Sequence, residues 1–162
     1  MRRKAVKLIL GGLALLTASG CGFQLRGSNA IPYRSIYIDA PRDSGAARQL
    51  ASVLRSRGIA LPENAKDADA VLKLFEEKQT RSILSLSGGG RVREYRLNYS
   101  LGYSLAGKDG REIYPAATIL SSRDFTYDDN QYLAKTAEES FLYRDLQDDA
   151  VQQILRRLAR PN

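Results

Sequence analysis

Glu94-Tyr95-Arg96-Leu97-Asn98-Tyr99-Ser100-Leu101-Gly102-Tyr103-Ser104-Leu105 decides the fold of this chain. Tyr95, Leu97, Tyr99, Leu101, Tyr103 and Leu105 fall on one side. Glu94, Arg96, Asn98, Ser100, Gly102 and Ser104 fall on the other. A period of two is that of a β-strand, whose side chains alternate between faces. Held from Tyr95 to Leu105, it reads as a strand with one dry face and one wet face, the pattern of an antiparallel sheet.

Working outward, turns flank this strand on both sides. Gly107-Lys108-Asp109-Gly110 closes a hairpin into a strand over about 111–126, and Pro115 implies an edge position or a bulge there. Asp128-Asp129-Asn130 can cap a helix that runs to about Arg160, before Pro161. Tyr143, Leu146, Ala150, Ile154 and Leu158 form its apolar stripe, widened by Val151 and Leu155. Arg156, Arg157 and Arg160 suit the negative end of the helix dipole. On the other side, Ser87-Gly88-Gly89-Gly90 is a turn from a strand that starts near Ala70 and runs to about Ser87. Before it lie a helix over about 44–57 and a strand over about 34–39. Asp43 or Ser44 can cap that helix, Ala47, Leu50, Val53 and Leu54 line it, and Gly58 stops it.

The predicted order is β-α-β-β-β-α. The first two strands, joined through a helix, are expected to be parallel, and the two hairpins antiparallel. The fold class is α+β: two helices on one face of a four-stranded mixed sheet, in a single domain over 31–162.

The front of the chain is of another kind. Met1 to Lys7 carries four cations and no acid. Leu8 to Leu16 is apolar but too short for a membrane-spanning helix, which needs roughly 20 residues. Thr17-Ala18-Ser19-Gly20 then leads to Cys21, the chain's one cysteine. This is the layout of a signal peptide over 1–20, cut before Cys21. Small residues before a cysteine resemble the lipobox of bacterial lipoproteins. A lone free thiol would be odd in an exported domain, and lipid attachment at Cys21 removes the oddity. Residues 21–30 then serve as a lipid-anchored lead. One acyl chain anchors marginally and several anchor stably. Removing residues 1–20 lowers the balance from 25 basic against 18 acidic residues to 21 against 18, a net charge of +3 rather than +7. That weakens any nucleic-acid reading, and none is made.

Chemistry is narrowed sharply by what is missing. The chain has no histidine, and its one cysteine is assigned to lipid. Histidine-based nucleophilic catalysis and Cys/His metal spacing are therefore out of reach. Gly88-Gly89-Gly90 lacks the Lys-Ser/Thr ending of a phosphate loop and joins two strands. Neighbouring acids such as Glu138-Glu139 point to different helix faces. The chain is read as a non-enzyme without cofactors. Binding remains, and two basic groups stand out: Arg81, Arg91, Arg93 and Arg96 around the second hairpin turn, and Lys135 early in the last helix. Arg91 and Arg93 would share the face of Tyr95 and Tyr99, so that the apolar ladder becomes cationic toward the tip. An amphiphile with phosphates on its head group would find both complements there.

Cys21-Gly22-Phe23-Gln24-Leu25-Arg26-Gly27 resembles the start of the LptE family, the lipopolysaccharide-assembly lipoproteins of Gram-negative bacteria. Arg93-Glu94-Tyr95, Gly110-Arg111-Glu112-Ile113-Tyr114-Pro115 and Leu133-Ala134-Lys135 resemble it too, in order and spacing. The resemblance implies an outer-membrane lipoprotein, its lipid in the periplasmic leaflet, that plugs the lumen of the β-barrel LptD and binds lipopolysaccharide. It assigns lipopolysaccharide contact to basic residues near the second hairpin turn and early in the last helix. Lys135 matches the latter, and Arg91 and Arg93 are the candidates for the former. Gly22 rather than Asp after the lipidated cysteine fits outer-membrane sorting. The other reading is a periplasmic structural or chaperone-like lipoprotein with a different partner.

Overall fold

A computed structural model describes residues 31–160. The stretch expected to be a signal peptide, Cys21 and residues 22–30 lie outside the described residues, as does Pro161. The elements are β1 (Ile36–Asp39), α1 (Gly45–Ser56), β2 (Ala70–Leu86), β3 (Val92–Gly107), β4 (Glu112–Thr126) and α2 (Tyr132–Leu158). The sheet order is β1-β2-β3-β4. β1 runs parallel to β2, and the two hairpins are antiparallel. The expected α+β order holds throughout.

The alternating strand is the centre of the molecule. Leu97, Tyr99, Leu101, Tyr103 and Leu105 are all buried. Ile36, Leu72, Leu74, Ile119 and Phe125 extend the same layer across the other strands. Each fully buried Leu or Ile is worth about 1.5–3 kcal/mol relative to exposure. α1 adds Ala46, Leu50 and Leu54, and α2 adds Leu146, Ala150, Val151, Ile154, Leu155 and Leu158. Leu50, Leu54 and the α2 residues are those that period 3.6 identifies, while Ala46 takes a buried place that the pattern does not assign and Ala47, Val53 and Tyr143 are half-buried. The opposite sheet face stays open.

Local chemistry closes the elements where expected. The Ser44 hydroxyl accepts the Ala47 N–H at 3.0 Å and caps α1. Both hairpin turns use one scheme: Gly90 N–H donates to Ser87 O, and Gly110 N–H to Gly107 O, each at 2.9 Å. Gly90 and Gly110 have φ of 78° and 77°, where a side chain would be strained. Pro115 meets both of its expectations: β4 is an edge strand, and its register slips between Tyr103 and Leu105.

One feature of β2 is invisible to periodicity. Phe75 pairs with Gly102 but Lys78 pairs with Ser100, so β2 carries an extra residue. Glu76 sits there with φ of 52°, a positive value rare outside glycine. The bulge reverses the faces of everything after it. Glu77 turns toward the helices. Its Oε2 accepts the Ser44 hydroxyl at 2.6 Å, and its Oε1 accepts the Ala46 N–H at 3.2 Å and the Tyr99 hydroxyl at 2.8 Å.

Candidate functional site

The end of the sheet that holds the β2–β3 turn and the start of α2 gathers most of the basic residues singled out above. Its floor is aromatic. Phe125 of β4 pairs across from Tyr95 of β3. The Tyr95 and Tyr127 rings meet edge to face at 5.3 Å, and Phe125 and Tyr127 at 6.3 Å. Tyr127 N–H donates to the Arg93 carbonyl at 2.8 Å, which ties the end of β4 to β3. The Tyr127 hydroxyl is held above its ordinary pKa by desolvation first, then by Asp129, Tyr95 and Tyr132, with Arg81 opposing.

Lys135 lies closer to the helix start than its sequence context implies. Asp128 caps a 3₁₀ turn over Asp129–Gln131, and α2 proper begins at Tyr132. Lys135 is therefore the fourth residue of the helix, where the dipole disfavours a cation. Two neighbours hold it. Its Nζ is 2.9 Å from Glu138 Oε2 and 5.4 Å from the centre of the Phe125 ring. Its side chain is only 16% exposed, so it is not the freely solvated surface lysine that its charge suggests.

Arg81, one of the hairpin arginines, is placed by the tertiary structure against α2. It pairs across from Leu97, on the helix-side face. Its guanidinium lies 4.3 Å from the centre of the Tyr95 ring, and its Nη1 is 2.8 Å from Glu139 Oε2. Counting by twos from Leu74 would put Arg81 on the open face. The bulge at Glu76 hides it from any single-strand pattern.

Arg91 and Arg93 are exposed and make no ion pair among the described residues. The alternation expected to place both on the Tyr95 face does not reach the tip. Ile83 pairs with Tyr95, Ser85 with Glu94 and Leu86 with Val92, so one residue is extra on each strand. Arg93 borders a hollow with Ser85, Leu86, Glu94 and Thr126. Arg91 follows the turn, its N–H donating to the Ser87 hydroxyl. Arg96, the fourth of the hairpin arginines, is engaged elsewhere: it pairs with both oxygens of Asp124 at 2.8 and 3.1 Å. That contact lowers the Asp124 pKa.

Apolar side chains flank the cations. Ile83, Leu86, Tyr132 and Leu133 are all exposed, Leu133 to 83%. Such residues beside Lys and Arg can receive an amphiphile, its charged head on the cations and its chains on the apolar rim. Among the described residues, no helix is long and apolar enough to cross a membrane.

Comparison with known proteins places the fold. LPS-assembly lipoprotein LptE from Photorhabdus laumondii subsp. laumondii is 29% identical, over 98% of this chain and 87% of that protein. LPS-assembly lipoprotein LptE from Pectobacterium atrosepticum is also 29% identical, over 98% and 86%. The solution structure of lipoprotein B from Nitrosomonas europaea superposes with a TM-score of 0.75 at 36% identity, covering 85% of this chain and 90% of that one. Rare lipoprotein B from Shewanella oneidensis gives 0.68 at 28% identity, covering 77% and 93%. The family model described as "LptE: Lipopolysaccharide-assembly" matches residues 33–158, nearly the whole described domain, and the chain belongs to the LptE family.

Proposed function

We propose that this protein is an outer-membrane lipoprotein of lipopolysaccharide assembly. It is anchored by lipid on Cys21 after loss of residues 1–20, it plugs the lumen of the β-barrel LptD, and it binds lipopolysaccharide through Lys135, Arg91 and Arg93. Its work is binding and assembly rather than catalysis. Membership of the LptE family supports the role in lipopolysaccharide assembly. The observation that carries the binding part is Lys135. A cation in the first turn of α2 opposes the helix dipole, yet it is held over Phe125 beside an exposed apolar rim. A cation held in place beside apolar side chains matches a ligand that carries phosphates on its head and acyl chains behind it. The free side chains of Arg91 and Arg93 stand at the same end and extend the positive field toward the hairpin tip.

Affinity purification of the full-length lipoprotein from outer membranes tests the partner. A large β-barrel should come down in equal amount. Recovery of a monomer after gentle detergent extraction would overturn the plug. Direct titration with lipopolysaccharide tests the ligand: Lys135→Gln should weaken binding about tenfold, the worth of one lost charge-assisted contact. Unchanged binding would remove Lys135 from the site.

A further inference from the structure

Arg81 and Lys135 form a matched pair. Each cation stands over an aromatic ring, at 4.3 Å from the Tyr95 centroid and 5.4 Å from the Phe125 centroid. Those two rings are direct cross-strand neighbours. Each cation is paired to a glutamate, Arg81 with Glu139 at 2.8 Å and Lys135 with Glu138 at 2.9 Å, and the two glutamates are adjacent on α2. Neighbouring residues of a helix turn apart, so the two carboxylates reach the two cations from either side.

We propose that Arg81 and Lys135 together are a two-phosphate cradle, and that Glu138 and Glu139 are stand-in anions which the ligand displaces. The proposal rests on the lipopolysaccharide-binding reading and extends it to a residue and a mechanism of exchange. The chemical class is an amphiphile with two phosphate groups on its head. Three observations carry the argument. Only Nη1 of Arg81 is engaged among the described residues, so the remaining guanidinium donors are available to a phosphate. The side chain is 43% exposed, so an incoming anion can reach it. The Tyr95 face and the Glu139 contact hold the guanidinium ready, which lowers the cost of ordering it on binding. A phosphate dianion making a bidentate contact to the open side of the guanidinium can displace a single carboxylate. Ile83, across from Tyr95 and exposed, extends an apolar surface beside the arginine for acyl chains.

The test is a titration of the full-length lipoprotein in detergent with diphosphorylated lipid A, and in parallel with monophosphorylated lipid A. Arg81→Ala should weaken binding of the diphosphorylated form about tenfold, one charge-assisted contact, and change the monophosphorylated form far less. Glu139→Gln should tighten binding about two- to fivefold, because a competing anion is gone while the stack on Tyr95 remains. A purely structural ion pair would give no tightening. Thermal melting of both variants confirms that they are folded, and Arg81→Gln, which removes the charge but keeps much of the side chain, replaces Arg81→Ala if the latter is not. Wild-type affinity in Arg81→Ala and Glu139→Gln, with loss in Lys135→Gln, would overturn the cradle and leave the binding reading standing. Equal loss of Arg81→Ala on both lipids would overturn the two-phosphate assignment. No binding of either lipid by the wild type would overturn both readings at once.

Discussion

The Tyr99 hydroxyl donates a 2.8 Å hydrogen bond to Oε1 of Glu77, the carboxylate that also receives the Ser44 hydroxyl and the Ala46 N–H at the start of α1. A strand, its neighbour and a helix terminus are joined through one side chain. Burial pushes the Tyr99 phenol well above its ordinary pKa, and the bond to Glu77 adds to that. The positive φ at Glu76 costs on the order of 1–3 kcal/mol and is the geometry that brings Glu77 inward.

Glu77→Ala should therefore destabilise the domain by about 2–3 kcal/mol, since it strands a buried hydroxyl and uncaps a helix. Tyr99→Phe should cost about 1 kcal/mol, because the apolar ring stays in place. The double variant should lose less than the sum of the two, since both remove the same bond. Urea unfolding followed by circular dichroism measures all three. Strict additivity would mean that the bond contributes nothing.

Gly102 faces Phe75 on the open side of the sheet. A Cβ placed at Gly102 would lie 2.3 Å from the Phe75 ring. Gly102→Ala should cost about 1–3 kcal/mol through overpacking. Adding Phe75→Leu, which vacates the ring volume, should return part of that loss. A neutral Gly102→Ala midpoint in urea would contradict the packing.

Lys135→Asp should be more costly than an ordinary surface change, which stays within about 0.5 kcal/mol. The side chain is only 16% exposed with its ammonium over Phe125, and the new carboxylate would face Glu138. Lys135→Gln keeps most of the packing and should melt closer to wild type. Equal melting temperatures for the Asp and Gln variants would argue against the packed side chain.

Asp69 accepts the N–H groups of Arg34 and Ser35, both at 3.0 Å, and so ties the entry of β1 to the entry of β2. Its pKa is lowered, chiefly by the backbone bonds of Ser35. A carboxylate whose folded pKa is depressed adds stability above its ordinary value of 3.8, and that stability is lost as pH falls through the lowered folded value. Asp69→Asn should therefore flatten the acid limb of a stability-versus-pH curve below that value and leave the slope near neutrality unchanged. An identical acid limb in wild type and variant would exclude Asp69 as a contributor.

Cys21→Ala should leave the domain folded and abolish incorporation of labelled palmitate, because the thiol proposed to carry the lipid is gone. Wild-type incorporation of the label would refute lipid attachment at Cys21.

Much of the fold was legible from single segments. The ladder from Tyr95 to Leu105 announced the central strand, and the stripe from Tyr143 to Leu158 announced α2. Pro115 marked an edge or a bulge, and Asp43 or Ser44 a cap. Each of these signals is local, because burial on one face imposes its period on consecutive residues. Lys135 was legible as a basic residue within Leu133-Ala134-Lys135. Its packing over Phe125 was not, because that contact joins residues ten apart across the turn from β4 to α2. The alternation also overran its range at the hairpin tip, where paired irregularities on β2 and β3 cancel in length but not in facing.

Periodicity and capping chemistry within single segments set the order of elements, the α+β class and most of the buried positions. Tertiary structure alone decided which way the second half of β2 faces. One extra residue at Glu76 reverses it, turning Glu77 under the start of α1 and Arg81 onto Tyr95. The physical reason is register: a shift of one residue exchanges the two faces of a strand, and register is set by the partner strand rather than by the residues that carry it.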